Sequence, residues 1–213
     1  MAARHRRARD TMRRTHSPQG PVARIAGEAS ISTAMGRREL LVAGVVQSID
    51  AEHAESSDYW PAMLPDRRPA RALLLGAGGG TLAALLHRRF GPVPLVAVDN
   101  DPDMVALGRR AFYLGLPGVQ PVIADAFAFA ATCPGRFDYV AVDLFHGAER
   151  PRQVGGRPFL GDLARLAAPR GVVAFNLFRD RRVETTIMRI ARMLPLARRT
   201  DVGKNVVLHC RGR

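Results

Sequence analysis

Cysteine is nearly missing from this chain. Its 213 residues hold two, Cys133 and Cys210, far apart and without a second Cys or His at ligand spacing. That excludes a disulfide framework and a zinc site, so no metal is expected, and it points to a reducing compartment. Nowhere do about 18 apolar residues run together, so no membrane-spanning helix is expected. The N-terminus carries the charge of a signal n-region but no apolar h-region follows, which makes the cytoplasm the expected location. Lysine is scarcer still: Lys204 is the only one, and every other base is arginine.

What is present is a globular composition, 47% hydrophobic and 24% charged, long enough for one domain plus a tail. The net charge is +13, and residues 1–20, with six Arg and one Asp, supply +5 of it, leaving +8 for the rest. A solvated basic surface is the favoured reading; an anionic partner such as nucleic acid is the competing one. The same charge would repel a polycation.

Residues 1–20 lack apolar periodicity and read as a disordered basic arm, with Met12 and Met35 as alternative starts. Residues 21–66 read as a short β-hairpin and a linker: extended runs at Ala29–Thr33 and Glu39–Ser48, a polar stretch Asp50–Asp58, and a short helix near Tyr59–Leu64. From residue 67 to 213 strands alternate with helices. Apolar runs of strand length fall at Ala72–Leu75, Leu95–Val98, Pro121–Ile123, Tyr139–Val142, Val172–Phe175 and Val206–His209, with helical periodicity between most of them. Asp101 before Pro102 and Asp180 are expected N-caps. Nearly all-apolar strands separated by helices predict an α/β, Rossmann-like, doubly wound and mostly parallel sheet, covered on both faces.

Leu75-Gly76-Ala77-Gly78-Gly79-Gly80-Thr81 reads as strand, glycine turn and helix start. Glycines let the backbone approach a ligand, and helix N-terminal N–H groups are expected to face it. The loop fits G-x-G-x-G through Gly76, Gly78 and Gly80 better than the dinucleotide pattern. Asp99 ends the next strand, 23 residues after Gly76, where a carboxylate can accept from both ribose hydroxyls. Asp125, followed by Ala126, ends the third and can accept from an adenine amino group. Three such features at the carboxyl ends of consecutive strands read as an adenosine site. Asp143 ends the fourth strand over the same crevice. If the ligand is a sulfonium nucleoside attacked by an amine, the amine must be neutral, and a carboxylate in reach can take its proton.

These residues resemble the spermidine synthase (polyamine aminopropyltransferase) family, within the class I S-adenosylmethionine-dependent methyltransferase superfamily, over roughly residues 29–210. Two stretches carry the likeness: Leu40–Ser48 followed by Tyr59, and the ordered set of glycine loop, Asp99, Asp125-Ala126 and Phe137–Asp143. The resemblance implies nucleoside contacts from Gln47, Gly76, Asp99 and Asp125, with decarboxylated S-adenosylmethionine or S-adenosylmethionine as donor. It also implies Asp143 as proton acceptor for a small-molecule amine, and a homodimer formed through the N-terminal β-domain, here reduced to about one hairpin. Three positions depart from the pattern. Gly79 stands where the family has an acid that grips the aminopropyl ammonium, His146 replaces a second acid after the fourth strand, and Tyr59-Trp60-Pro61 replaces Tyr-His-Glu. Tyr59 and His146 are the candidate acceptor-side residues. Methyl transfer, to a nucleic-acid or small-molecule substrate, and a non-catalytic nucleoside-binding role remain open beside aminopropyl transfer.

Overall fold

The computed structural model describes residues 23–24, 29–34, 36–42, 44–57, 59–145 and 149–212; the expected basic arm and His146 lie outside the described residues. The described chain begins with a four-stranded antiparallel sheet in sequential order: β1 (Ala23–Arg24), β2 (Ala29–Ala34), β3 (Arg37–Val42) and β4 (Val45–Ile49). The expected hairpin is its centre, but the run read as one strand over Glu39–Ser48 folds back on itself at Gly44, whose φ of +76° suits glycine. Leu40 pairs with Ser48 and Leu41 with Val46, so Gln47 is the extra residue of a β-bulge. A bulge re-aims the side chain it carries.

The stretch Asp50–Asp58 is not a polar linker. It holds α1 (Ala51–Ser57), started by Asp50, which accepts from the His53 N–H at 3.1 Å. Ala51 and Ala54 are its buried face, an apolar signal too slight to outweigh the polar residues around it. The short helix follows as α2 (Trp60–Met63).

The second sheet has seven strands: β5 (Ala72–Leu75), β6 (Leu95–Asp99), β7 (Val119–Ile123), β8 (Phe137–Val142), β9 (Ala167–Phe178), β10 (Leu196–Val202) and β11 (Asn205–Arg211), in the order β10-β11-β9-β8-β5-β6-β7. β7, β6, β5, β8 and β9 run parallel, and β11 and β10 are antiparallel additions at one edge. β10 was not expected, because Leu196–Val202 is mostly exposed and charged, as an edge strand tolerates. The helices are α3 (Thr81–Phe90), α4 (Pro102–Ala111), α5 (Ala126–Thr132), α6 (Arg157–Leu166) and α7 (Val183–Met193).

Strand alternation sorts the core into two layers. Leu73, Leu75, Val140, Val142 and Phe175 face α5, α6 and α7. Ala72, Leu74, Tyr139, Ala141 and Ala174 face α1, α2 and α3. Tyr139, fully buried, donates to the Met63 carbonyl at 2.7 Å and so ties α2 to the sheet. Asp101 caps α4 as expected, accepting from Asp103 and Met104 N–H groups at 2.9 and 3.1 Å. Asp180 does not cap α7; it accepts from Arg182 N–H at 2.8 Å, a turn before the helix. No helix among the described residues is long and apolar enough to cross a membrane.

Candidate active site

The chain winds outward from β5 through β6 to β7, then returns to place β8 on the other side of β5. The carboxyl ends of β5 and β8 therefore bracket the switch point where doubly wound sheets open a crevice. Gly76 stands at one lip and Asp143 at the other. A Cβ added to Gly76, whose φ is +86°, would sit 2.1 Å from the Asp143 carbonyl oxygen, so only glycine lets the two strand ends lie this close.

A cavity of about 550 Å³ opens here, within the range of small-molecule sites. Of the residues expected to form the site, Gln47, Tyr59, Gly76, Gly78, Asp99, Asp125, Ala126 and Asp143 all line it. Gly80 does not. With φ +93° it forms the N-cap of α3, and a Cβ there would meet Leu114 at 2.9 Å, so its glycine serves packing. His146 lies outside the described residues.

The glycine loop's own N–H groups are turned to partners within the protein. The N–H groups of Gly76 and Ala77 both donate to Val98 O, Gly78 to the Asp99 carboxylate at 2.9 Å, Gly79 to Ser48 Oγ at 2.7 Å and Gly80 to Ala77 O. With these five donors engaged internally, the loop offers a ligand closeness and not the positive nest that phosphates need. Asp99 is held from both sides, its second oxygen accepting from Asp101 N–H at 3.1 Å. Burial raises its pKa despite these bonds. Asp125 serves two purposes, capping α5 through Ala128 N–H at 2.8 Å while facing the cavity.

The N-terminal sheet forms the opposite wall. Ser48 Oγ takes the Gly79 N–H, and Thr81 Oγ1 both accepts from Ile49 N–H at 3.0 Å and donates to Ile49 O at 2.8 Å. These buried bonds clamp β4 to the loop and bring bulged Gln47 to the cleft. They also account for Gly79: a Cβ there would meet the Leu40 and Ser48 side chains at 2.9–3.0 Å, so the position packs against β3 and β4 and a larger side chain would press on both.

Asp143 is the best-supported side chain of the site. Tyr59 OH donates to its Oδ2 at 2.7 Å and Asn176 Nδ2 to its Oδ1 at 2.8 Å, while Asn176 Oδ1 accepts from Asn205 Nδ2 at 2.8 Å. Burial pushes the Asp143 pKa up to about 6, with the bonds from Asn176 and Tyr59 and the nearby Trp60 side chain pulling the other way. Asn176, Asn205 and Arg37 were not anticipated, yet all line the cavity. Asn176 carried a readable signal, an amide inside the otherwise apolar run Val172–Phe178. Asn205 and Arg37 did not, since each sits in an ordinary polar turn sequence.

A methyltransferase-domain family model matches residues 72–171. A polyamine aminopropyltransferase of Chromobacterium violaceum is 30% identical over 125 residues, 57% of this chain and 48% of that protein. A probable spermidine synthase from Corynebacterium glutamicum superposes with a TM-score of 0.73 at 19% identity, over 92% of this chain and 81% of that one. The chain has the methyltransferase fold of these proteins and is similar in sequence to a polyamine aminopropyltransferase. Human methyltransferase-like protein 13, solved in complex with SAH, has the same fold at TM-score 0.61 and 23% identity, over 76% and 82% of the two chains. The matched segment spans about half the length of the polyamine aminopropyltransferase from Chromobacterium violaceum.

Proposed function

We propose that this protein binds a sulfonium nucleoside of the S-adenosylmethionine type and transfers its aminopropyl group to an amine. The observation that carries the reading is the fixed carboxylate of Asp143, held by Tyr59 and Asn176 at the switch point, across the cleft from Gln47 and the glycine loop. In this reading Asp99 accepts from the ribose hydroxyls and Asp125 from the adenine amino group, with Gln47 beside the nucleoside; their lining of one cavity supports it. The likeness to aminopropyltransferases favours decarboxylated S-adenosylmethionine as donor. The engaged N–H groups of Gly76 to Gly80 favour it too, since these five offer a donor carboxylate no hydrogen bond.

The amine nitrogen forms its new bond to the carbon next to sulfur as the carbon–sulfur bond breaks, and that electron pair leaves neutral methylthioadenosine. The nitrogen's surplus proton passes to Asp143 Oδ. A carboxylate with a pKa near 6 is ionised at neutral pH yet basic enough to receive it. Tyr59 and Asn176 orient its lone pairs toward the amine.

Methyl transfer from intact S-adenosylmethionine is the second reading. It is favoured by Arg37, the one cationic side chain among the described lining residues, and by the absence of an acid at Gly79. Incubating the protein with each donor and a panel of amines separates the two. Release of methylthioadenosine from the decarboxylated donor supports aminopropyl transfer, and release of S-adenosylhomocysteine from the intact one supports methylation. Failure to bind or consume either nucleoside refutes both.

A further inference from the structure

Asp143 begins a row of side chains that crosses the sheet. Val142 of β8 lies level with Phe175 of β9, so Asp143 and Asn176, one residue further on, stand side by side. β11 runs back along β9 with Asn205 opposite Phe178 and Val207 opposite Asn176, which makes Asn205 the diagonal neighbour of Asn176 on the same face. Diagonal pairs are within reach of each other's side chains, and here the two amides meet. Asn205 Nδ2 donates to Asn176 Oδ1 and Asn176 Nδ2 to Asp143 Oδ1, each at 2.8 Å. The row therefore reaches from the catalytic carboxylate to the hairpin of β10 and β11 at the edge of the sheet.

The row has a direction. An ionised carboxylate only accepts, so Asn176 must turn its nitrogen to Asp143, and its oxygen then faces Asn205, which has to donate. Asn176 is 2% exposed, so solvent offers that oxygen no ready substitute, and a buried amide oxygen left without a donor is costly. Without the donor at Asn205, nothing fixes the sense of the Asn176 amide. Turned over, it presents oxygen to Asp143 Oδ1, an arrangement that only the protonated acid can satisfy. The bond from Asn205 thus favours the ionised form of Asp143 through Asn176. Among the described residues, the other titratable groups near Asp143 are Tyr59 and Tyr139, with Arg37, Asp99 and Asp125 also lining the cavity and His209 beside Ala62 and Met63. Burial raises the Tyr139 pKa and lowers that of His209.

We propose that Asn205 is a positioning residue: by donating to Asn176 it fixes the sense of that amide and so keeps Asp143 ready to receive the amine's proton. This rests on the proposed role of Asp143 and adds what holds that carboxylate in its working form. Trp60 is the sole tryptophan of the chain and its side chain bonds Asp143. Its emission in the full-length protein, followed against pH, therefore reports the ionisation of Asp143 without any substrate, and the step that Asp143→Asn abolishes is the one assigned to it. The native midpoint is expected at about 6. Asn205→Ala and the similarly sized Asn205→Leu, neither of which adds a charge, are each expected to raise it by about half to one pH unit, a roughly three- to tenfold gain in proton affinity. The rising limb of kcat/KM should move by the same amount. In an Asn176→Ala background, Asn205→Ala is expected to shift the midpoint no further. A role in packing alone predicts a native midpoint in the folded variants, and that result overturns the inference, as does a shift that persists undiminished without Asn176. Both outcomes leave amine alkylation at Asp143 standing. A native protein that consumes neither donor with any amine removes the functional reading and this role for Asn205 together.

Discussion

In the proposed reaction Asp143 receives the amine's proton, and its neighbours set the pH at which it can do so. Because its pKa is pushed up to about 6 by burial, kcat/KM should rise with pH through that value as the carboxylate ionises, then level off. Tyr59 donates to the ionised form, so Tyr59→Phe removes a bond that lowers the pKa. The rising limb should move to higher pH, with activity falling most below neutrality. Asp143→Asn should cut turnover by roughly 10²–10⁴-fold and spare nucleoside affinity. Stability follows the same linkage with its sign reversed from that of a paired surface acid. A folded pKa above the ordinary 3.8 means that the stability from protonated Asp143 is fully present below 3.8 and lost as pH rises through about 6. The Tm of Asp143→Asn, measured relative to the native protein, should therefore climb across that window; a difference that stays flat would mean that the carboxylate is not buried.

In the proposed reading the joint between β4 and the glycine loop holds together the walls of the nucleoside site. Ser48→Ala leaves the buried Gly79 N–H without its acceptor, which costs about 1–3 kcal/mol. It should weaken nucleoside binding and lower Tm, as seen by calorimetry and thermal melting. Gly79→Asp should restore no ammonium contact, since its side chain would press on Leu40 and Ser48; a gain in affinity for the decarboxylated donor would contradict this placement. The same joint marks the limit of what could be read beforehand. The runs at Leu73–Leu75, Val96–Val98 and Val140–Val142 announced a parallel sheet because strands covered on both faces must be apolar throughout. Asp99, Asp125 and Asp143 were legible because each ends such a run. The bulge at Gln47, the fold-back at Gly44 and the internal satisfaction of the loop N–H groups were not. They depend on register and on partners more than thirty residues away, as with Ser48 and Gly79. Asn176 was visible as an oddity, but its bond to Asp143 exists only because β9 lies beside β8.

Two sheets and one crevice between them give the protein its logic. The seven-stranded sheet supplies the switch point and three acids, and the small sheet supplies Gln47 and a lid anchored by Leu40, fully buried against Met104 and Leu107. A chain beginning at Asp50 would lose that wall and uncover the α4 residues beneath it. It should melt at lower temperature and bind no nucleoside even if the larger sheet folds. The most direct test is calorimetric titration of the intact protein, Asp99→Asn and Asp143→Asn with S-adenosylmethionine and its decarboxylated form. Saturable binding of at least one donor is expected to the native protein and to Asp143→Asn, and weakening by about tenfold or more in Asp99→Asn. A folded native protein that binds neither donor, or an Asp99→Asn variant that binds as tightly as the native protein, would contradict the account.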